Sequence, residues 1–523
     1  VTARRRGSDA GVAAADRLAA AAGAEMLRRG GSAADGAVAA AAVMSVTSPH
    51  FCGLGGDLFA LVQVPGDDPV ALNASGRAGS GADPAALRAE GHTSMPLRGD
   101  VRSVTVPGCL DGLLALAARF GRLEPSELFA PAIALANEGF RVSPTLAAAS
   151  HGLAPSLRAR AFGGPEPLID GARLAVPGVG RALHAAADGG RAAYYEGQVG
   201  EELRALGEGL FTVEDLRRPI AEWVAPLSLD AFGATLWTTP PNSQGFLTLA
   251  GAWIAENVGP GDDPNDERWP FVLIEAARQA AYDRPAVLYE DADGAVLLAP
   301  ERLTPRARAI GHRASTSLPG VHAPGDTTYL CAVDEGRSAV SLILSNCAGF
   351  GAHLLLGESG VFLHDRGVGF ALTPGHVAEY GPGRRPPHTL SPALVTADGR
   401  LRAVLGTMGG DAQPQVLLQL LARTLMCGQD PQTAIDAPRW MLTREPTTGF
   451  DTWDDPDPPI VALEPGAPPA WAPGLRDRGH RVRVAAERSF GHAQMIAVTN
   501  GGLVGAADPR TRNGGFVTVA DPG

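Results

Sequence analysis

The 523-residue chain is 45% hydrophobic and 19% charged, with a formal net charge of −12; this is the composition of a soluble globular protein that buries a sizeable core, not of a disordered one. Every basic residue is an arginine and no lysine occurs, which excludes a Schiff-base lysine, a phosphate-loop lysine and a serine–lysine dyad. The acidic balance, with Arg4-Arg5-Arg6 as the one short basic run, argues against a nucleic-acid partner. Length alone leaves one large domain or two open.

The five cysteines, Cys52, Cys109, Cys331, Cys347 and Cys427, show no C-x-x-C spacing. Neither a zinc site nor a disulfide framework is expected, and a reducing compartment fits. The alanine-rich stretch from Ala10 to Ala24 is broken by Asp16 and Arg17, so neither a signal core nor a membrane span is predicted; the expectation is a cytoplasmic protein without a membrane partner.

In chain order, Ser8 or Asp9 is predicted to cap a first helix ending at Arg28, where Arg28-Arg29 and Gly30-Gly31 supply charge and stop signals. Ser32 with Asp35 is an acidic capping box opening a helix to Val46 that is apolar on nearly all sides. A hairpin follows, Leu58 to Val64 and Val70 to Asn73, turned at Pro65-Gly66-Asp67. Leu110 to Phe120 and Leu128 to Glu138 read as helices, and the region from Ser143 to about Ala225 as mainly helical and loop-rich. Trp253 to Arg284 reads as helix, and Pro305 to Gly325 as a Pro/Gly-punctuated connection suited to cleavage. Thr328 to Val333 and Ser338 to Leu344 are β-rich runs joined by a turn at Asp334 to Arg337. Strands are also predicted at Ala393 to Val395, Arg402 to Leu405, Val482 to Ala485 and Met495 to Val498, with a helix near Val416 to Met426. The arrangement favours a layered α/β protein.

Several motifs carry no chemistry on inspection. Gly357-Glu-Ser359-Gly360 has its second glycine one residue too early for a nucleophile elbow. Gly53-Leu-Gly-Gly56 lacks the lysine of a phosphate loop, and His50 with Cys52, or His353 with His364, lacks metal-ligand spacing. No metal and no organic cofactor are implied. Pattern alone reads Thr327 and Thr328 as ordinary strand residues.

A set of weak motifs in a fixed order changes that reading. Asp326-Thr-Thr-Tyr-Leu-Cys-Ala-Val-Asp334, Gly349-Phe-Gly351 and Gly357-Glu-Ser-Gly360 are preceded by Gly30-Gly-Ser-Ala-Ala-Asp35, Gly53-Leu-Gly-Gly-Asp57, Val106-Pro-Gly108 and Pro240-Pro-Asn-Ser243. Arg385-Pro386, Met408-Gly-Gly410, Asp436-Ala-Pro-Arg439 and Asp508-Pro-Arg510 follow. Together they resemble the γ-glutamyltransferase family over almost the whole chain. The resemblance implies the four-layer αββα fold of the N-terminal-nucleophile hydrolases. It also implies a precursor cut between Asp326 and Thr327 into a large subunit, residues 1–326, and a small subunit, residues 327–523, intertwined as a self-cleaved heterodimer whose further assembly is open. Thr327 would be the nucleophile, activated by its own α-amine, whose unperturbed pKa is about 7.7 to 8.0. Ser345 would support that amine, and the N–H groups of Gly409 and Gly410 would form the oxyanion hole. The substrate would be a small acyl amide, γ-glutamyl or similar, and the acceptor water or an amine.

The chain departs from the family around the acyl group. Tyr329 replaces a histidine, and Cys347 falls where an asparagine is expected, with Asn346 beside it. Arg366 and Gly369 replace a glutamine and an aspartate that hold a glutamyl ammonium, His388-Thr389 replaces a serine pair, and Arg77 lies near, but displaced from, a carboxylate-binding arginine. The predicted substrate-binding set is therefore Arg77, Asn346, Arg366, His388 and Thr389. Gly369 removes a carboxylate and Arg366 invites an anion. These departures resemble the bacterial branch that includes cephalosporin-acylase-type enzymes. An acylase of a specialised metabolite without glutamyl specificity, or a catalytically inert binding homologue, are the alternatives.

Overall fold

The computed structural model describes residues 9–315, 318, 326–443 and 459–520. Two antiparallel sheets dominate it. The first runs, edge to edge, Gly515–Thr518, Gly11–Ala14, Asp326–Val333, Ala339–Cys347, Asp57–Gln63, Val70–Ala74 and Glu222–Val224. The second runs Gly502–Ala507, Ala493–Thr499, Arg400–Thr407, Ala393–Ala397, Ala234–Thr238 and Leu227–Ala231.

Side-chain alternation along each strand sorts the residues into layers. Phe59, Leu61, Tyr329 and Ile343 of the first sheet meet Leu394, Val404, Ile496 and Leu503 of the second in a closed inter-sheet core. The alternate residues, Leu58, Leu330 and Leu342, face outward against helices Arg17–Arg28, Ala33–Thr47, Cys109–Phe120 and Pro125–Glu138. On the far side, Leu236, Val395, Leu405 and Met495 pack under helices Phe246–Val258, Arg268–Ala281 and Gln413–Leu421. The result is the αββα sandwich that the resemblance implied. Helix Ala33–Thr47 is buried along its whole length and carries the full Ser32–Asp35 capping box, as its uniformly apolar sequence requires.

Local differences from the sequence reading have identifiable causes. The expected first helix is a strand, Gly11–Ala14, followed by a helix capped by Asp16, whose carboxylate accepts the Leu18 N–H. That strand is fixed by partners on both sides, Asp326–Val333 and Gly515–Thr518, which no local pattern reveals. The helix expected over Trp253 to Arg284 is two helices, Phe246–Val258 and Arg268–Ala281, the first ending at Gly259 with φ +78°. Helix Pro300–Arg308 opens the Pro/Gly-punctuated connection, and residues 316, 317 and 319–325 of that connection lie outside the described residues. No helix among the described residues is long and apolar enough to cross a membrane.

Both sheets mix strands from the two sides of residue 327. Asp57–Gln63 pairs with Ala339–Cys347, and Ala234–Thr238 with Ala393–Ala397.

Candidate active site

Thr327 begins the inner strand Asp326–Val333 and is 1% exposed. It shares a strand face with Tyr329, whose ring packs against Gly406 so closely that a Cβ there would lie 2.2 Å from it. Thr327 therefore faces the second sheet, at the end where strand Arg400–Thr407 runs out into Met408-Gly409-Gly410. Tyr329, which stands where the family has a histidine, lies wholly in the inter-sheet core, its hydroxyl paired with Ser341 Oγ at 2.9 Å.

Pairing between Thr328 and Leu344 is regular, but the next pair is Asp326 with Cys347. Two residues, Ser345 and Asn346, thus oppose one, Thr327, in a β-bulge that re-aims side chains at the strand end. The Thr327 hydroxyl donates to Ser345 Oγ at 3.1 Å, and Ser345 Oγ also accepts the Cys347 N–H at 2.7 Å. Cys347 completes the bulge at φ +75°, and burial pushes its thiol well above the usual range, leaving it a poor nucleophile. Asn346 turns the other way: its side-chain amide donates to the Pro49 carbonyl, and its Oδ1 is buried without a partner among the described residues.

Across the next strand, Asp57 pairs directly with Ser345. Its carboxylate accepts the Gly76 N–H at 2.9 Å and the His388 Nε2 proton at 3.1 Å, with His364 Nδ1 at 3.5 Å. Burial works to raise the Asp57 pKa, but His364, the His388 hydrogen bond and the Arg366 cation together outweigh it and hold the group at about 2. Burial, followed by the Arg366 charge, drives His388 down to about 3, so its ring is neutral. His388 Nδ1 accepts the Leu390 N–H at 3.2 Å. Both ring nitrogens of His388, expected from the sequence to meet substrate, are thereby engaged within the protein, one of them on Asp57.

Arg366 is 2% exposed, and its guanidinium donates to Thr389 Oγ1 at 3.1 Å. The Thr389 and Gly410 carbonyls both accept from Gln244 Nε2 at 3.1 Å, so one amide ties the Arg366 partner to the Gly-Gly loop. In that loop Gly409 adopts φ +137° and Gly410 φ +54°, backbone that side chains of L-residues resist. Beside it, Arg284 lies 3.4 Å from Asp411. The structure thus gathers Thr327, Ser345, Asn346, Arg366, Thr389, Gly409 and Gly410 around one strand end.

Arg77 stands apart from this group. Expected from the sequence to meet substrate, it is engaged by the carboxylates of Glu290 and Glu222 and by the Gly383 carbonyl at 3.0 Å, so its charge is already balanced. Asp57, His364, Arg284 and Asp411 belong to the site neighbourhood although they were not singled out as site residues. Asp57 closes the motif Gly53-Leu-Gly-Gly-Asp57 and Asp411 follows Met408-Gly-Gly410, which was a usable signal; Arg284 has none. Gly369, where an aspartate was expected, has the Pro387 carbonyl 2.4 Å from where a Cβ would sit, so the backbone itself excludes a carboxylate side chain there. Among the described residues no group of three His, Cys, Asp or Glu side chains could hold a metal.

Residues 19–518 match the family model described as gamma-glutamyltranspeptidase. The chain belongs to the gamma-glutamyltranspeptidase family. Among its relatives, the oxamate amidohydrolase proenzyme of Klebsiella pneumoniae is 35% identical over 497 residues, covering 90% of this chain and 91% of that one. The glutathione hydrolase-like YwrD proenzyme of Bacillus subtilis is 34% identical with the same coverage. The cephalosporin acylase structure from Bacillus halodurans superposes with a TM-score of 0.89 at 31% identity, over 99% of this chain and 97% of that one. As a family member the chain is a hydrolase of the N-terminal-nucleophile type.

Proposed function

We propose that this chain is a self-processing N-terminal-threonine amidohydrolase acting on an amide whose acyl half carries a carboxylate or another compact anion. The observation that carries the reading is Arg366. It is a buried guanidinium that donates to a neutral hydroxyl and, among the described residues, has no carboxylate at ion-pair distance. Asp57 is close enough to feel its charge, yet the Asp57 oxygens are taken by Gly76 and His388. A buried cation with no opposite charge in contact costs several kcal/mol, which a bound anion offsets.

Maturation follows from the position of Thr327. Its Oγ attacks the Asp326 carbonyl carbon, the C–N bond breaks as its proton passes to the nitrogen, and the resulting ester is hydrolysed by water. This leaves the Asp326 carboxylate and a free Thr327 α-amine. In turnover that amine takes the hydroxyl proton, Oγ attacks the substrate amide, and the N–H groups of Gly409 and Gly410 receive the oxyanion. Such donors are worth about 3 kcal/mol each. The departing nitrogen takes the proton, and water then releases the acid. Residues 1–326 and 327–523 would stay joined, because both sheets interleave strands from each part.

The relatives are consistent with this reading. Oxamate, named for the Klebsiella protein, is a carboxamide joined directly to a carboxylate, which suits a buried arginine; an acylase at 0.89 TM-score suits acyl-amide chemistry. The γ-glutamyl alternative is disfavoured by Gly369, which offers no carboxylate to a substrate ammonium. The test is steady-state turnover of oxamate, a γ-glutamyl anilide and a neutral amide by wild type and Arg366→Met. The expected result is turnover of the anionic amide, with kcat/KM falling at least 30-fold in the variant, about 2 kcal/mol of lost charge-assisted binding. Equal turnover of neutral and anionic amides, or an indifferent variant, contradicts it.

A further inference from the structure

The Gly409-Gly410 pair has the least constrained backbone the chain can offer, yet it has to present two N–H groups at fixed points. A group outside the loop must hold it, and Gln244 is placed to do so. This residue is buried, its backbone N–H donates to the His388 carbonyl at 2.9 Å, and the hydroxyl of its neighbour Ser243 donates to the Leu390 carbonyl at 2.6 Å. Its base is thus fixed to segment 388–390 on both sides of Thr389. From there its side-chain Nε2 bonds two carbonyls at 3.1 Å each, those of Thr389 and Gly410. The amide cannot be turned over, because Oε1 would then face two carbonyl oxygens. As placed, Oε1 is buried without a partner among the described residues. An unmet buried acceptor weakens a fold, so stability does not account for a glutamine here.

Arg366 is registered to the same frame from two directions. Its guanidinium donates to Thr389 Oγ1 at 3.1 Å. Its chain neighbour Asp365 donates its N–H to the Asn346 carbonyl at 3.3 Å and accepts the Ala348 N–H at 3.0 Å, which fastens this turn to the bulge opposite Thr327. Thr389 is therefore shared: its hydroxyl serves the arginine, and its carbonyl is held by the glutamine that also holds Gly410.

We propose that Gln244 is a positioning residue for this reaction. It fixes the oxyanion loop relative to Arg366, so that an amide whose carboxylate sits on Arg366 has its carbonyl delivered to the Gly409 and Gly410 N–H groups. The proposal rests on the amidohydrolase reading and gives the substrate carboxylate a second task in it: the carboxylate orients as well as binds. Orientation of this kind appears in kcat, whereas the Arg366 contact itself appears in affinity. The helix that follows the loop is separately fixed to the same segment, Gln413 Oε1 accepting the Ser391 N–H at 3.0 Å. Loss of the Gln244 amide therefore frees the loop and leaves its base in place.

The test is kcat and KM for oxamate, with oxalate affinity by titration calorimetry, for matured wild type, Gln244→Met and Gln244→Glu. Methionine keeps the length of the side chain and removes its donor. The expected result is kcat lower by about 30-fold or more in Gln244→Met, with KM and oxalate affinity within about threefold of wild type. Glutamate adds a pH readout: ionised, it sets a charge against two carbonyls, and protonated, it regains one donor. The ratio of its kcat to that of wild type is expected to rise as pH is lowered from about 8 to about 5. An unchanged kcat in Gln244→Met, a loss of oxalate affinity as large as the loss of kcat, or a pH-independent ratio for Gln244→Glu overturns the proposal. So does failure of both variants to mature, which would place Gln244 in processing instead of substrate orientation. Absence of oxamate turnover by matured wild type is a different failure: it overturns the amidohydrolase reading, and this inference falls with it.

Discussion

At the scale of single residues, the site depends on hydroxyls and backbone placed by geometry rather than on unusual side chains. Ser345 accepts from both Thr327 and the Cys347 N–H. Ser345→Ala leaves that buried N–H without its acceptor, a loss of about 1–3 kcal/mol, and frees the Thr327 hydroxyl to rotate. The expected outcome is self-processing slowed about tenfold or more, with Ser345→Thr restoring it; a time course of denaturing gels shows either result. Thr327, Gly409 and Gly410 were legible only through the resemblance, since no spacing rule singles out a threonine at a strand start. Arg366 was read from the sequence as inviting an anion, and its burial beside Thr389 is what the structure adds. What the sequence could not show was that His388 and Arg77 are already engaged, because their partners, Asp57 and Leu390 for one, Glu290 and Glu222 for the other, come mostly from distant segments.

At the scale of elements, turn and cap chemistry read well where it is local. The Ser32–Asp35 capping box and the turn after Gln63 appear where expected, and Gly53-Leu-Gly-Gly56 is a structural segment: a Cβ at Gly56 would lie 2.4 Å from the Ser345 carbonyl, so this stretch packs on the bulged strand. Strand Gly11–Ala14 was missed because four small residues carry no period, and its identity comes from its two neighbours. The bulge opposite Thr327 was equally invisible, being a register property of two strands. The contact between Tyr329 and Gly406 couples the sheets directly behind the site. Gly406→Val would drive a side chain into that ring, and overpacking of this kind costs about 1–3 kcal/mol. A lower urea midpoint together with slower processing is expected; an unchanged midpoint would mean the two sheets do not meet as described.

At the scale of the whole molecule, the four layers follow from strand alternation, and buried imidazoles set its response to acid. His50 and His388 are held at about 3, and His480 and His492 at about 4, each chiefly by burial. A histidine whose folded pKa lies below its unfolded value near 6.5 binds its proton more readily in the unfolded chain. Its contribution is therefore complete above pH 6.5 and is lost as pH falls from there toward the folded pKa, roughly 2 kcal/mol per fully buried ring by pH 5. Asp57, depressed to about 2, adds its loss only lower, between about pH 4 and 2. Urea midpoints should accordingly fall between pH 7 and pH 5, and a flat profile over that window would contradict the neutral, buried histidines. The interleaved sheets carry a further consequence: cutting the chain beside Thr327 should yield two pieces that separate only on unfolding. The most direct test of the account is the intact mass, under denaturing conditions, of freshly made wild type beside Thr327→Ala. Wild type is expected to give two fragments meeting between Asp326 and Thr327, whose masses sum to the chain plus one water, and the variant a single uncut chain. A single uncut wild-type chain, leaving Thr327 without a free amine, would contradict it.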